Sequence, residues 1–241
     1  MTVPVNSRVT PALDPGTYLA VEGVNDSTRG YIDDVVSLMN DCYATLGSLH
    51  SAKDAVDSNP SWTDAQKVLM MSGETNKQKN RLAQRLDRTM RDLDSRIVHT
   101  EGELLRPVQI AAANPLAAEV RQHFKSLSEG ERSKLIRDAL ATDDTATLDA
   151  VLGAQPFLSG MVQTDRDHFI RLYHSKKSPH LVERLDLMKR VKDLMSKSGA
   201  NGPAFHKAFQ VVLGATPSDA HAIEKANQRA LDALNIQPPT A

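Results

Sequence analysis

The sequence predicts an all-α protein: a long antiparallel helical hairpin similar to a coiled coil, followed by a bundle of short helices, with an extended arm at the N-terminus. Three observations predict this class. Apolar side chains recur at helical spacing along most of the 241 residues. Capping residues, prolines and glycines mark the start and the end of successive helical segments. No segment alternates apolar with polar residues as a half-buried strand does.

The chain divides into four parts by composition and spacing. We place the arm at residues 1–25, the hairpin at 26–106, a compact all-α domain at 107–235 and a C-terminal tail at 236–241. The arm contains three prolines and two glycines, and its apolar residues follow no helical period. Such a segment is either disordered in the free chain or docked on a partner.

The first helix of the hairpin carries a seam of apolar residues. Asp26 or Ser27 is its expected N-cap, and Pro60 ends it because proline disfavours the helical conformation of the preceding residue. Steps of three and four residues separate the side chains of the seam, which are Tyr31, Val35, Leu38, Cys42, Thr45, Leu49, Ala52 and Val56. This heptad spacing is typical of a helix that packs along a partner helix.

The second helix of the hairpin starts with Thr63 and Gln66, which have the spacing of a capping box, and ends at Pro107. Its apolar period runs through Leu82, Leu86, Met90 or Thr89, Leu93, Ile97, Thr100 and Leu104. Because a short connection joins the two helices, they must run antiparallel. The seam positions that we assign to an oligomer contact are Val35, Leu38, Cys42, Leu49, Leu86, Leu93 and Ile97.

One stretch of the second helix, from Ser72 to Arg81, contains no apolar side chain. The hydrophobic effect cannot hold such a stretch against the first helix. Either the helix breaks near Gly73, or the stretch is exposed until another subunit covers it. Of the two alternatives, we expect the break.

Short helices, separated by closely spaced prolines, glycines and capping residues, follow Pro107. A turn with Pro156 and Gly160 interrupts them. Their expected start signals are Asn114 with Pro115, Ser128 with Glu131, Asp143 or Asp144, Thr164, Ser178 with Pro179, Pro203 and Pro217.

Side chains with catalytic or metal-binding potential are scattered along the sequence. No two of the eight histidines have the spacing of three or four residues that places two ligands on one helix face. Nucleophile and phosphate-loop motifs are missing, and the single cysteine, Cys42, lies on the apolar seam as a small hydrophobic residue. We therefore expect no enzymatic activity, no metal ion and no cofactor.

Charge is unevenly distributed along a chain whose net charge is -1. Residues 1–60 contain eight acidic and three basic residues, whereas residues 77–91 contain six basic residues and one acidic residue. Four of these cations form a stripe along one helix face: Lys77, Arg81, Arg85 and Arg88. We expect the stripe to be a solvated face. The alternatives are a contact for an acidic helix, which the first helix could supply, and, less favoured, a contact for nucleic-acid phosphates.

A further pattern lies within residues 127–162. It consists of an acidic turn, a short apolar helix, and a turn with proline and glycine, formed by Asp143, Asp144, Leu148, Ala150, Val151, Leu152, Pro156, Leu158, Ser159 and Gly160. This segment resembles one in small helical proteins encoded among the structural genes of tailed bacteriophages and prophages. Thr142 stands where that pattern has a glycine. The resemblance implies a virion-related context and carries over no catalytic residue.

Together these observations favour a non-enzymatic structural or assembly protein, most simply a phage virion component that is internal, ejected, or associated with the head or tail. It would act through helix–helix self-association and contacts with other virion proteins, in the virion or, before assembly, in the bacterial cytoplasm. The alternative is a nucleic-acid-associated helical protein that uses the stripe. No run of about 18 apolar residues occurs, so we expect no membrane-spanning segment.

Overall fold

A computed structural model of the chain describes residues 7–234, and this range contains eleven α-helices, two 3-10 turns and no strand. The all-α class predicted from the sequence is confirmed. The predicted tail at 236–241 lies outside the described residues. The helices are α1 (Pro15–Leu19), α2 (Asp33–Asp57), α3 (Asp64–Ala112), α4 (Pro115–Ser126), α5 (Glu129–Thr142), α6 (Thr145–Leu152), α7 (Pro156–Ser159), α8 (Gln163–Lys177), α9 (Pro179–Lys197), α10 (Pro203–Leu213) and α11 (Pro217–Leu234).

The N-terminal segment, predicted to be an extended arm, is folded onto its own chain from residue 7 onward. It forms a 3-10 turn at Pro11–Leu13 and the short helix α1, which the Asp14 carboxylate caps. Leu13 and Tyr18 are fully buried. The segment packs against α2 and α10. The sequence pattern missed this docking because one of the covering helices, α10, is distant in the chain.

Helix α2 begins at Asp33, later than predicted. The side-chain oxygen of Asn25 accepts hydrogen bonds from the backbone amides of Ser27 and Thr28. The residues expected to cap the helix therefore form a turn before it, a structure that asparagine favours. The other end agrees with the prediction, since α2 ends at Asp57.

Helix α3 is continuous over 49 residues, so the predicted break near Gly73 is wrong. The polar stretch stays helical, and its small side chains Ser72 and Thr75 are buried. Thr75 lines a cavity together with Phe209 of α10 and residues of α11. Cover by another subunit was the alternative to the break, and at Thr75 helices of the same chain supply this cover.

The ends of α3 test two further predictions. The start is confirmed, because Thr63 and Gln66 exchange the hydrogen bonds of a capping box. The predicted end at Pro107 is wrong, since this proline lies inside the helix. Leu104 and Val108, on either side of it, are buried. Their packing offsets the backbone hydrogen bond that proline cannot make.

Contacts between residues group the chain into two units. The first unit combines the described residues up to Asp92 with those from Arg190 onward, and the second spans Leu93–Lys189. These boundaries differ from the predicted division at residues 106/107. The reason is that α3 continues through that point and that α10, near the end of the chain, packs against α2.

The second unit has its own apolar core, which α4, α5, α6 and α8 form with the end of α3. Its buried members are Val108, Phe124, Ile136, Ala139, Leu140, Leu148, Val151, Leu152, Phe169, Ile170 and Tyr173. At Gly153, directly after α6, a Cβ atom would overlap the carbonyl oxygen of Val108. This close approach of α6 to α3 therefore requires glycine.

Most predicted helix starts in the second unit are confirmed. Asn114 and Asp144 accept hydrogen bonds from the first turns of their helices, and Ser128 forms a complete capping box with Glu131. The cap predicted at Thr164 is wrong, because α8 begins one residue before it.

Candidate interaction site

The predicted seam positions are all buried within a single chain: Val35, Leu38, Cys42, Leu49, Leu86, Leu93 and Ile97. The first five belong to the first unit, and the last two belong to the second. Packing inside one chain therefore accounts for their apolar character. Regular coiled-coil geometry and an oligomer contact through these residues stay predictions.

Two cations of the stripe, Arg81 and Arg85, are bound to helix α2. Asp41 accepts two hydrogen bonds from Arg81, at 2.7 and 2.9 Å, and one from Arg85 at 2.6 Å. Arg81 also donates to Thr45, and Arg85 to Ser37. As the residue numbers rise along α2, those of the partners on α3 fall, which is the order of contacts in an antiparallel pair. An acidic partner of the stripe thus lies in the same chain.

These contacts change the acidity of the groups around Asp41. The hydrogen bond from Arg81, assisted by that from Arg85, lowers the pKa of the Asp41 carboxyl from 3.8 to about 2, although burial acts in the opposite direction. The same contact raises the pKa of the Arg81 guanidinium. Burial, and the neighbouring Asp41 charge, raise the pKa of the Cys42 thiol to about 12. Cys42 is therefore protonated and a poor nucleophile at neutral pH.

The other two cations of the stripe are exposed. The Lys77 ammonium lies 3.9 Å from the Glu74 carboxylate, a weak surface contact. Arg88 lines an open depression of about 410 Å³ in which the carboxylates of Asp34 and Asp92 also lie. Acidic groups are thus interspersed along the stripe, and they weaken its attraction for a phosphate backbone.

Large apolar side chains are exposed around the short helix α7. The exposed fraction is 70% for Phe157, 63% for Val162 and 45% for Leu158. We call residues 156–162 the apolar turn. This turn contains no charged side chain. Exposed apolar clusters that include an aromatic residue are typical of protein interaction surfaces.

Hydrogen bonds and burial fix the backbone of the apolar turn. Gly160 ends α7 with a φ of 68°, the left-handed conformation that favours glycine. Arg132 on α5 donates hydrogen bonds to the carbonyl oxygens of Gly160 and Leu127. Ser159 is fully buried, and its hydroxyl donates to the Pro156 carbonyl oxygen at 3.2 Å. Because the turn is ordered before any partner arrives, binding costs little additional backbone entropy.

The sequence pattern does not indicate the apolar turn as a contact surface. It predicts Pro156 and Gly160 only as a turn between helices, and Leu158 enters only through the resemblance. The available signal was four large apolar residues within six positions, namely Phe157, Leu158, Met161 and Val162. That three of them face water was decided by the packing of their neighbours.

Residues 7–234 contain no group of three His, Cys, Asp or Glu side chains that could hold a metal ion. His174 is buried, and burial lowers the pKa of its imidazole. Its Nε2 atom has no hydrogen-bond partner within the same range. Over this part of the chain, no helix is both long enough and apolar enough to cross a membrane.

The segment that resembles phage structural proteins, residues 127–162, forms α5, α6 and α7. It therefore contains both the acidic cap of α6 and the apolar turn. Comparison of the whole chain with known proteins gives no family assignment, because no protein-family model, no curated protein and no solved structure matches it.

Proposed function

We propose that the protein is a non-enzymatic structural or assembly protein, a component of a phage virion, that associates with copies of itself and with other virion proteins. One observation carries the proposal: in the apolar turn, Phe157, Leu158 and Val162 are exposed to water, and hydrogen bonds fix the backbone that carries them. Burial of each large apolar side chain in an interface contributes about 1.5–3 kcal/mol. A surface of this kind supports a role in binding another protein.

The virion context is supported by the resemblance of residues 127–162 to phage structural proteins. The apolar turn lies inside this segment. The part of the chain that suggests a virion is thus also the part that offers the proposed contact.

Nucleic-acid binding through the stripe receives less support. Arg81 and Arg85 would have to leave Asp41 before their guanidinium groups could bind phosphates. The phosphate contacts would then replace existing ion pairs, so their net contribution would be small.

The experiment that tests self-association is sedimentation equilibrium of the purified protein from about 1 μM to about 1 mM. We expect the average mass of the wild type to rise above that of one chain over this range. Phe157→Ser should weaken the association about tenfold or more, because it removes the largest apolar side chain of the turn.

The matched control is Val98→Ser, since Val98 is also exposed, by 67%, but lies on the face of the long helix α3. This change should leave the association constant unaltered. A wild type that remains one chain at every concentration would contradict the proposed self-association. Equal losses in the two variants would show that the apolar turn has no special part in it.

The virion assignment needs a separate test. Particles produced after induction of the prophage, or by infection, are purified on a density gradient and their proteins identified by mass spectrometry. We expect peptides of this chain to co-purify with the particles in a fixed ratio to the other virion proteins. Their absence from intact particles would rule out a virion component.

A further inference from the structure

The second unit contains an open cavity of about 530 Å³ between α3, α8 and α9. This volume is typical of sites that bind small organic molecules. Leucine, isoleucine and valine side chains form one part of the wall, and charged side chains, a glutamine and a histidine form the rest. The cavity therefore suits a molecule that has both a polar group and an apolar body.

The histidine of this wall is His174 on α8. Its side chain is buried, with 4% exposed, and its Nε2 atom has no hydrogen-bond partner within residues 7–234. A buried polar atom without a partner costs free energy, and native structures contain few of them. Because His174 lines the cavity, a molecule bound there can supply the missing hydrogen bond.

Arg166, also on α8, supplies hydrogen-bond donors to the same cavity. Its side chain is only 12% exposed. The Nε atom donates to the Leu152 carbonyl oxygen at 2.8 Å, whereas the Asp167 carboxylate lies 3.9 Å from Nη1, too far for a hydrogen bond. Over the described part of the chain, the two terminal nitrogens of Arg166 thus have no acceptor. A guanidinium group with two such nitrogens can bind both oxygens of one carboxylate.

Four other charges of the wall are paired with one another. Arg171 on α8 lies 2.5 Å from Asp186 on α9, and Lys189 on α9 lies 2.6 Å from Glu101 on α3. Each pair joins two of the three helices around the cavity. Because these four charges compensate one another, they favour neither an anion nor a cation as the ligand.

The preference between an anion and a cation therefore depends on Arg166 and Asp167. The Asp167 side chain is 59% exposed, and it accepts a hydrogen bond from Gln163 at 2.7 Å. Solvent screens this exposed carboxylate more than it screens the largely buried guanidinium of Arg166. The attraction of Arg166 for an anion thus exceeds the repulsion by Asp167.

We propose that this cavity binds a small organic carboxylate with an apolar body. The terminal nitrogens of Arg166 bind the carboxylate. Burial lowers the pKa of the His174 imidazole, which is therefore neutral at pH 7, and in the tautomer that carries its proton on Nε2 it donates to the same group. The apolar body packs against the half-buried side chains of Leu105, Val182 and Leu185. The site shares no residue with the apolar turn, so it is independent of the proposed self-association.

Isothermal titration calorimetry of the full chain tests the proposed ligand class. The probes are two carboxylates with different apolar bodies, hexanoate and benzoate, and two molecules with the chain of hexanoate, hexan-1-ol and hexylammonium. We expect at least one carboxylate to bind about tenfold more tightly than the alcohol and the ammonium ion, because a charge-assisted pair with Arg166 forms only with the carboxylate. Equal or tighter binding of the alcohol or the ammonium ion would overturn the proposal. So would the absence of carboxylate binding up to about 10 mM.

Two variants test the residues of the site. His174→Phe keeps an aromatic ring without its nitrogens, and Arg166→Lys keeps the charge without the paired donors. Each should weaken binding of the carboxylate about tenfold. The matched control is His168→Phe, because His168 is exposed on the same helix and does not line the cavity. Equal affinity in all three variants and the wild type would place the ligand elsewhere and overturn the assignment.

Circular dichroism checks that the variants keep their helices. A measurement on the wild type serves where a variant does not fold: the ring nitrogens of the histidines are followed by NMR as the carboxylate is added. We expect the His174 signals to shift and those of His168 to stay in place. Unchanged His174 signals at saturating carboxylate would contradict the proposed contact with Nε2.

Discussion

Thr75 and Thr100 are both buried on α3, but they differ in whether the hydroxyl group has a hydrogen-bond partner. The Thr100 hydroxyl donates a hydrogen bond to the Arg96 carbonyl oxygen at 2.8 Å. The Thr75 hydroxyl has no partner among the described residues, although the side chain is only 2% exposed. A buried hydroxyl without a partner costs free energy, because the water that it bonded in the unfolded chain is not replaced. Thr75 belongs to the polar stretch of α3, and it lines a cavity together with Phe209 of α10.

We expect Thr75→Val to raise the free energy of unfolding by about 1–2 kcal/mol, because valine has the shape of threonine and no hydroxyl. The same change at Thr100 should lower it by about 0.5–1 kcal/mol, since a hydrogen bond is lost. Urea denaturation followed by circular dichroism measures both. Equal destabilisation by the two variants would mean that the Thr75 hydroxyl has a partner in solution.

At the scale of elements, Asp41 is a polar contact between α2 and α3. Its carboxylate binds two guanidinium groups, and its side chain is 23% exposed, whereas those of Arg81 and Arg85 are 46% and 37% exposed. Solvent around the arginines screens the attraction. We therefore expect a stabilisation of about 1–2 kcal/mol. This is smaller than the lowered pKa of Asp41 alone would suggest.

We expect Asp41→Asn to lower the free energy of unfolding by that amount at pH 7. The pKa of Asp41 is about 2 in the folded chain and 3.8 when unperturbed. The unfolded state thus binds the proton more readily, and the stabilisation is complete above about pH 4 and is lost as the pH falls towards 2. The difference between wild type and variant should shrink over this range.

The matched control is Asp193→Asn, which removes a single exposed pair with Lys197 on α9. It should change the stability by less than about 0.5 kcal/mol. Urea midpoints at pH 7 and pH 3 measure both variants. A difference for Asp41→Asn that is independent of pH would contradict the account of its ionised contact with the arginines.

At the scale of the whole molecule, the first unit is assembled from both ends of the described chain. Helix α10 packs against α2 and against the 3-10 turn at Pro11–Leu13. Its buried side chains include Phe205 and Phe209. In contrast, residues 225–234 of α11 are all exposed. The two parts of the C-terminal region therefore contribute unequally to stability.

We expect a chain that ends after Ala200 to lose the protection of α1 and α2 against hydrogen exchange, because their cover is removed. A chain that ends after Glu224 lacks only the exposed part of α11 and should retain this protection. Hydrogen exchange with mass spectrometry compares the two truncations with the full chain. Intact protection of α2 in the shorter chain would show that this helix folds without α10.

The sequence by itself determined the helices of this protein and several of their ends. Capping at Asn114, Ser128 and Asp144 depends on hydrogen bonds within a few residues, so these signals can be recognised in the sequence without knowledge of the fold. The contact of the basic stripe with an acidic helix was one of the alternatives, because charge and helical spacing are also local properties.

Only the tertiary structure decided what covers each helix. The continuity of α3 through Gly73 and Pro107 depends on packing by residues far away in the chain, which no local pattern records. The same holds for the candidate site. The exposure of Phe157 depends on how the side chains around it pack, and that packing is a property of the whole fold.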